Sequence, residues 1–229
     1  MPVASALESE LTGEPAGEPA TVFYVWHLPV RVTHWVNVAA FLTLAMSGYF
    51  IEVPLFAARH APPMLQVRLV HVLAGYVLLC SVALRCYWAF YGDRGASWRA
   101  FFPYLKKDGL RKIWDELRFY LFLRRDPPPS STVVNISHSL VFLAFGLEIV
   151  TGFALLSLSG SHRIAAPLFG WVFALAAPQN VRLIHVTAMW LLLAFTVEHI
   201  YITVMLDCKE RSSLISSIVT GYMGHERHS

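Results

Sequence analysis

The sequence predicts an all-α membrane protein: a bundle of four transmembrane helices with both termini cytoplasmic and an amphipathic cytoplasmic helix between the second and third spans. Three observations predict it. Of 229 residues, 56% are hydrophobic and only 14% charged, against about 45–50% and about 25% in soluble domains. The apolar residues gather into four runs, each long enough for a bilayer crossing of about 20 residues. The basic residues favour one side of those runs.

The first run covers about Val30–Phe50 and contains "AAFLTLAMSGYF". The second covers about Leu65–Phe90, "LQVRLVHVLAGYVLLCSVALRCYWAF". The loop after it holds "KIWDELRFYLFL" (Lys112–Leu123), whose aromatics and leucines suit the headgroup layer, with a soluble surface helix as the alternative. "RRDPPPSST" then reads as a stiff linker. The third run covers about Val133–Ser157 and the fourth about Val181–Leu206. Between these two, "APLFGWVFALAAP" (Ala166–Pro178) is too short to cross, and its prolines mark an interfacial or re-entrant piece.

Orientation follows from Lys and Arg, which accumulate on the cytoplasmic side. The loop between spans two and three carries nine: Arg94, Arg99, Lys106, Lys107, Arg111, Lys112, Arg118, Arg124 and Arg125. Arg31, Lys209, Arg211 and Arg227 fall on the same side, making thirteen, against four opposite: Arg59, Arg68, Arg163 and Arg182. The acidic, Gly- and Pro-containing Met1–Thr21 is expected to be a disordered tail. It lacks a basic and then apolar leader pattern, so it does not read as a signal peptide. Residues 22–222 form the membrane domain, 223–229 a C-terminal tail, and no internal repeat or second domain is expected.

The net charge of +3 is small and dispersed, with no basic runs interleaved with aromatics, which excludes a nucleic-acid partner. Cys80, Cys86 and Cys208 are too few for a disulfide framework, and neither CxxC nor CxxCH occurs.

An ionisable residue inside a span is costly and marks a functional position by default. Four histidines form a pattern. His34 lies near the cytoplasmic start of span one, and His71 near the outer start of span two. His185 lies near the outer start of span four, and His199 fourteen residues deeper. Fourteen residues rise about 21 Å and turn roughly 1400°, within about 40° of whole turns. His185 and His199 therefore share a face at two depths, matched by His71 and His34 respectively. Two imidazole pairs result, each able to hold a haem iron from above and below. Bis-histidine ligation leaves no open position for oxygen chemistry and suits electron transfer. A zinc site is disfavoured because no His, Cys and carboxylate set gathers at one depth.

Small residues support the pairs. Gly48 is fourteen after His34, and Gly75 is one turn past His71; a glycine lets a porphyrin approach the backbone. Helix packing is the plain alternative for both. Arg85, fourteen after His71, is placed to meet a propionate of the inner haem, or else snorkels to the cytoplasmic face. His138 reads as a packing residue. Glu148 and Glu198 are candidates for proton transfer in quinone chemistry or for structural hydrogen bonds.

Several stretches together carry a family resemblance: "PVRVTHWVN" (Pro29–Asn37), "SGYFI" (Ser47–Ile51), "RLVHVLAGY" (Arg68–Tyr76) and "LRCYWAFYG" (Leu84–Gly92). With them go "WDELRFYLFL" (Trp114–Leu123), "VTGFAL" (Val150–Leu155), "HVTAMW" (His185–Trp190), "EHIY" (Glu198–Tyr201) and "SLISSIVTGY" (Ser213–Tyr222). From about Val22 to Tyr222 the chain resembles the cytochrome b subunit of membrane-bound nickel–iron hydrogenases.

The resemblance implies a four-helix cytochrome with two haems b. In the related formate dehydrogenase cytochrome subunits the span-one histidine pairs with the later one of span four, and the span-two histidine with the earlier. Carried over, that is His34 with His199 and His71 with His185. It further implies that hydrogenase small and large subunits dock on the outer face of a bacterial inner membrane. Their electrons would pass from an iron–sulfur cluster through the two haems to quinone, and the chain would anchor the enzyme. Two departures stand out: Arg182 occupies a place where a histidine is frequent, and "DPPPSST" one that often reads Gly-His-Asn-Pro. Other readings are the same cytochrome serving a formate dehydrogenase or another quinone-linked oxidoreductase, and a haem-free membrane anchor.

Overall fold

Prolines open three of the long helices, where a missing amide hydrogen costs nothing and a fixed φ favours the first turn. In a computed structural model of the chain, the described residues are 21–53, 62–91, 111–112, 114–115, 118, 123, 132–159, 165–210 and 213–225. The elements are β1 (Thr21–Tyr24), α1 (Leu28–Glu52), α2 (Pro62–Tyr91), α3 (Thr132–Ser157), α4 (Ala165–Phe169), α5 (Val172–Leu175), α6 (Pro178–Glu210), α7 (Leu214–Thr220) and β2 (Tyr222–His225). Pro29 enters α1, Pro62 and Pro63 enter α2, and Pro178 enters α6.

The four expected spans are present as α1, α2, α3 and α6, with 25, 30, 26 and 33 residues. At about 1.5 Å per residue each exceeds the roughly 30 Å hydrocarbon layer, so among the described residues there are four helices long and apolar enough to cross a membrane. Hydroxyls within them return to the carbonyl one turn back: Thr33 to Pro29 (2.8 Å), Thr43 to Ala39 (2.8 Å) and Thr196 to Leu192 (2.8 Å). That satisfies the hydroxyls where lipid offers no partner.

Residues 28–199 form one compact unit and hold the four-helix bundle. Its core takes Ala40, Phe41 and Ala45 from α1, Leu78 from α2, Phe145, Ile149 and Phe153 from α3, and Leu192 from α6. Phe41 and Phe145 meet at 6.0 Å between ring centres, Tyr76 and Phe153 at 4.9 Å. The alanines among these matter because lipid is as apolar as leucine, so membrane helices associate through close packing of small residues. Large side chains such as Leu42, Met46, Leu73, Leu143 and Leu191 face outward, as a lipid-exposed surface allows. Arg182 pairs with Glu52 at 3.4 Å, joining one end of α6 to one end of α1.

The short stretch after span three does not cross; it folds as α4 and α5, broken at Gly170. A Cβ at Gly170 would stand 2.6 Å from the Ala166 carbonyl oxygen, so only glycine fits there. Phe169 of α4 stacks on Phe153 of α3 at 5.2 Å, and Val172 of α5 is buried with Ala154 and Val181. Most of Lys112–Leu123 lies outside the described residues. Within it Lys112, Trp114, Asp115 and Arg118 are helical, with the Arg118 guanidinium 5.3 Å from the Trp114 ring centre.

The second compact unit comprises, among the described residues, 21–27, 200–210 and 213–225. The composition did not announce its antiparallel ribbon. It takes Thr21 from the expected N-terminal tail and Met223–His225 from the C-terminal one, pairing Thr21 with His225 and Tyr24 with Tyr222. The rest of the N-terminal tail lies outside the described residues. Gly221 ends α7 at φ 90°, a left-handed conformation that glycine adopts without steric cost. Its carbonyl accepts from Val25 (2.8 Å) and Trp26 (3.2 Å), and the Trp26 indole donates to Ser217 Oγ (3.1 Å). The Asp207 carboxylate accepts from the Leu214 and Ile215 amides and so caps the start of α7.

Candidate cofactor-binding site

His71 on α2 and His185 on α6, matched in depth by sequence, meet inside the bundle. Their ring centres are 6.4 Å apart and their planes cross at 75°. Both rings are half-buried. Two imidazoles sharing one metal through nitrogen bonds of about 2 Å, with ring centres about 1.1 Å beyond, would be separated by roughly 6.2 Å. The observed spacing fits one ion between them.

Hydrogen bonds decide which ring nitrogen is available. Ser47 Oγ lies 2.6 Å from the Thr43 carbonyl and 2.9 Å from His71 Nδ1. Its single proton is committed to the carbonyl, so its oxygen accepts from Nδ1–H. Thr151 repeats the arrangement on α3, at 2.7 Å from the Leu147 carbonyl and 2.9 Å from His185 Nδ1. A neutral imidazole protonated at Nδ1 keeps its lone pair at Nε2, the form that binds a metal. Glu148 Oε2 also sits 2.7 Å from His185 Nδ1.

The next residue in each case is glycine. A Cβ at Gly48 would stand 3.2 Å from His71 Cε1, and one at Gly152 would stand 3.1 Å from His185 Cε1. Both glycines let a helix backbone lie against an imidazole. Ser47–Gly48 on α1 thus cradles the histidine of α2, and Thr151–Gly152 on α3 cradles that of α6. This local correspondence between the two halves is an arrangement the sequence reading missed. Its signal was present: a hydroxyl residue followed by glycine in two different spans. Gly48, expected to border a porphyrin, is placed first of all by its contact with His71. A Cβ at Gly75 meets nothing within 4 Å, so no protein contact requires glycine there.

At the other level, His34 is half-buried on α1 with the Trp35 ring 5.3 Å away, and His199 is half-buried on α6, stacked on Phe195 at 5.7 Å. Their pairing is an expectation from their matched depth in the sequence. Arg85 is buried, with its guanidinium carbon 5.8 Å from the Phe142 ring centre, rather than extended to the surface. Two buried polar atoms nearby in sequence, Asn37 Oδ1 and Trp88 Nε1, lack a hydrogen-bond partner among the described residues. Orphaned groups of this kind call for an explanation; Trp88 stands three residues after Arg85 on α2, about one turn along the helix. The side chain of His138 lies outside the described residues; Glu198 is exposed. Among the described residues no three His, Cys, Asp or Glu side chains gather as a metal site.

Comparison with known proteins adds three relatives and a family. Residues 25–221 match the family model described as prokaryotic cytochrome b561. The chain is 35% identical to a probable Ni/Fe-hydrogenase B-type cytochrome subunit of Rhizobium leguminosarum bv. viciae, over 96% of each chain. It is 36% identical to a protein of the same description from Bradyrhizobium diazoefficiens, over 96% of this chain and 93% of the relative. To the probable Ni/Fe-hydrogenase 1 B-type cytochrome subunit of Escherichia coli K12 it is 32% identical, over 89% and 91%.

Proposed function

We propose, from the premise that this chain belongs to the prokaryotic cytochrome b561 family, that it is the membrane cytochrome b of a nickel–iron hydrogenase. It carries electrons from that enzyme to quinone and anchors it at the bilayer. The observation that carries the reading is the His71–His185 pair at 6.4 Å, each ring held at Nδ1 by a hydroxyl from a neighbouring helix. The names of the relatives support the partner.

His71 and His185 would hold one haem b, and His34 and His199 a second. Haem iron with two imidazoles supplies one-electron transfer and has no position left for oxygen. Ser47 and Thr151 hold the ligand rings in the Nδ1–H tautomer and fix their rotation. Arg85, with Trp88, would receive a carboxylate of the second haem, and Gly48 and Gly75 would keep the backbone clear. With both termini cytoplasmic in the bacterial inner membrane, the His71/His185 level faces outward, where the small and large hydrogenase subunits dock. Quinone is reduced toward the cytoplasmic level.

The test is haem content per polypeptide on the purified chain, with identification of what co-purifies. Two haems with b-type reduced-minus-oxidised bands, and hydrogenase subunits in the preparation, are expected. A colourless but folded preparation overturns the reading; a formate dehydrogenase in place of a hydrogenase overturns the partner. Ser47→Ala and Thr151→Val should each weaken haem retention about 10- to 100-fold, the usual cost of losing a group that orients a metal ligand, read as haem released during a dilution series.

A further inference from the structure

We infer that Glu148 is a positioning residue for His185: its carboxylate accepts a hydrogen bond from Nδ1–H and lowers the reduction potential of the haem shared by His71 and His185. The inference rests on that haem assignment. Glu148 lies on α3 three residues before Thr151, so the two side chains and Gly152 present to His185 from one helix face. Its Oε2 is 2.7 Å from Nδ1, closer than the hydroxyl of Thr151 at 2.9 Å. The contact has the length of a charge-assisted hydrogen bond. The Glu148 side chain is 13% exposed, and its other oxygen, Oε1, is buried without a hydrogen-bond partner among the described residues.

A half-paired carboxylate inside a span is an expensive way to hold a ring that a hydroxyl already holds. The opposite ligand shows the cheaper solution, with Ser47 Oγ at His71 Nδ1. What Glu148 adds is negative charge. A carboxylate on Nδ1–H makes the imidazole more basic at Nε2. It thereby stabilises the oxidised, more positive iron over the reduced one, and the low dielectric around it strengthens the effect. Hydrogen bonding to an axial ligand is one of the levers by which a protein sets a haem potential. The two ligands of this haem are thus electronically unequal, with His185 the stronger donor.

The experiment is a spectroscopic redox titration of the purified cytochrome with its partner enzyme, in wild type, Glu148→Gln, Glu148→Asp and Thr151→Val. Glu148→Gln should retain full haem content and low-spin spectra while the potential of one haem rises. A tenfold change in its reduced-to-oxidised ratio at fixed ambient potential is expected, equal to about 59 mV for a one-electron couple. Glu148→Asp keeps the charge and should fall between wild type and Gln, and Thr151→Val should shift less than Gln. Unchanged potentials of both haems in Glu148→Gln at full haem content overturn the inference and leave the haem assignment standing. A wild type without haem overturns the assignment instead. Should Glu148→Gln fail to accumulate or lose haem, the Asp variant decides: an upward shift supports the role and none refutes it.

Discussion

Replacing His185 by Leu, or His71 by Leu, should bring electron flow from hydrogen to quinone down to background while hydrogen oxidation with an artificial dye continues. Each substitution removes one of the two imidazoles whose ring centres lie 6.4 Å apart, and a side chain without a lone pair cannot replace it. Leucine is close in volume to histidine, so the helix pair stays packed and the loss is one of ligation. Haem content should fall by about half, because His34 and His199 belong to the other level. In the proposed complex, dye reduction needs only the partner enzyme and its own electron exit. Membranes from the variant strains, assayed for hydrogen-dependent reduction of dye and of quinone side by side, give the answer. Unimpaired quinone reduction would count decisively against the role of this pair.

The second large effect is expected at a residue without a side chain. In Gly152→Val the new Cβ would lie 3.1 Å from His185 Cε1 before its two methyl groups are added. The ring must then swing away from its place between Thr151, Glu148 and His71, or α3 must move off α6. Overpacking of this kind costs about 1–3 kcal/mol, and the displaced ring no longer presents Nε2 at a bonding distance. The expected result is a folded, membrane-inserted protein with the b-type absorbance of the His71/His185 haem lost. Gly75→Ala supplies the contrast. Among the described residues, no side chain and no neighbouring helix stands within 4 Å of a Cβ there, so thermal unfolding should match wild type, and any loss of haem in that variant reports crowding of the cofactor's edge. Equal haem content in Gly152→Val and wild type would show that the His185 ring does not depend on the close backbone.

Much of this was legible in the chain itself because it follows from local rules. Apolar run length set the four helices, and prolines at 29, 62, 63 and 178 marked three of their starts. The regular rise and turn of a helix related His185 to His199 and matched His71 in depth to His185. Gly170 and the prolines around it marked a segment that turns back. Less was legible where strands pair across the length of the chain. Thr21–Tyr24 and Tyr222–His225 are about two hundred residues apart, and neither carries a strong strand pattern.

By itself the sequence determined which residues lie at which depth and on which side of their own helix, since rise and rotation per residue are properties of a single helix. Only the tertiary structure decided what each imidazole touches. Glu148 read equally as a proton carrier or a structural hydrogen-bond partner, and only the packing of α3 against α6 sets its carboxylate at His185 Nδ1; Ser47, Thr151 and Gly152 read as ordinary span residues. Their contacts depend on the separation and rotation of neighbouring helices. Those are set by the sum of many weak packing interactions across the bundle, so no short stretch of residues contains them.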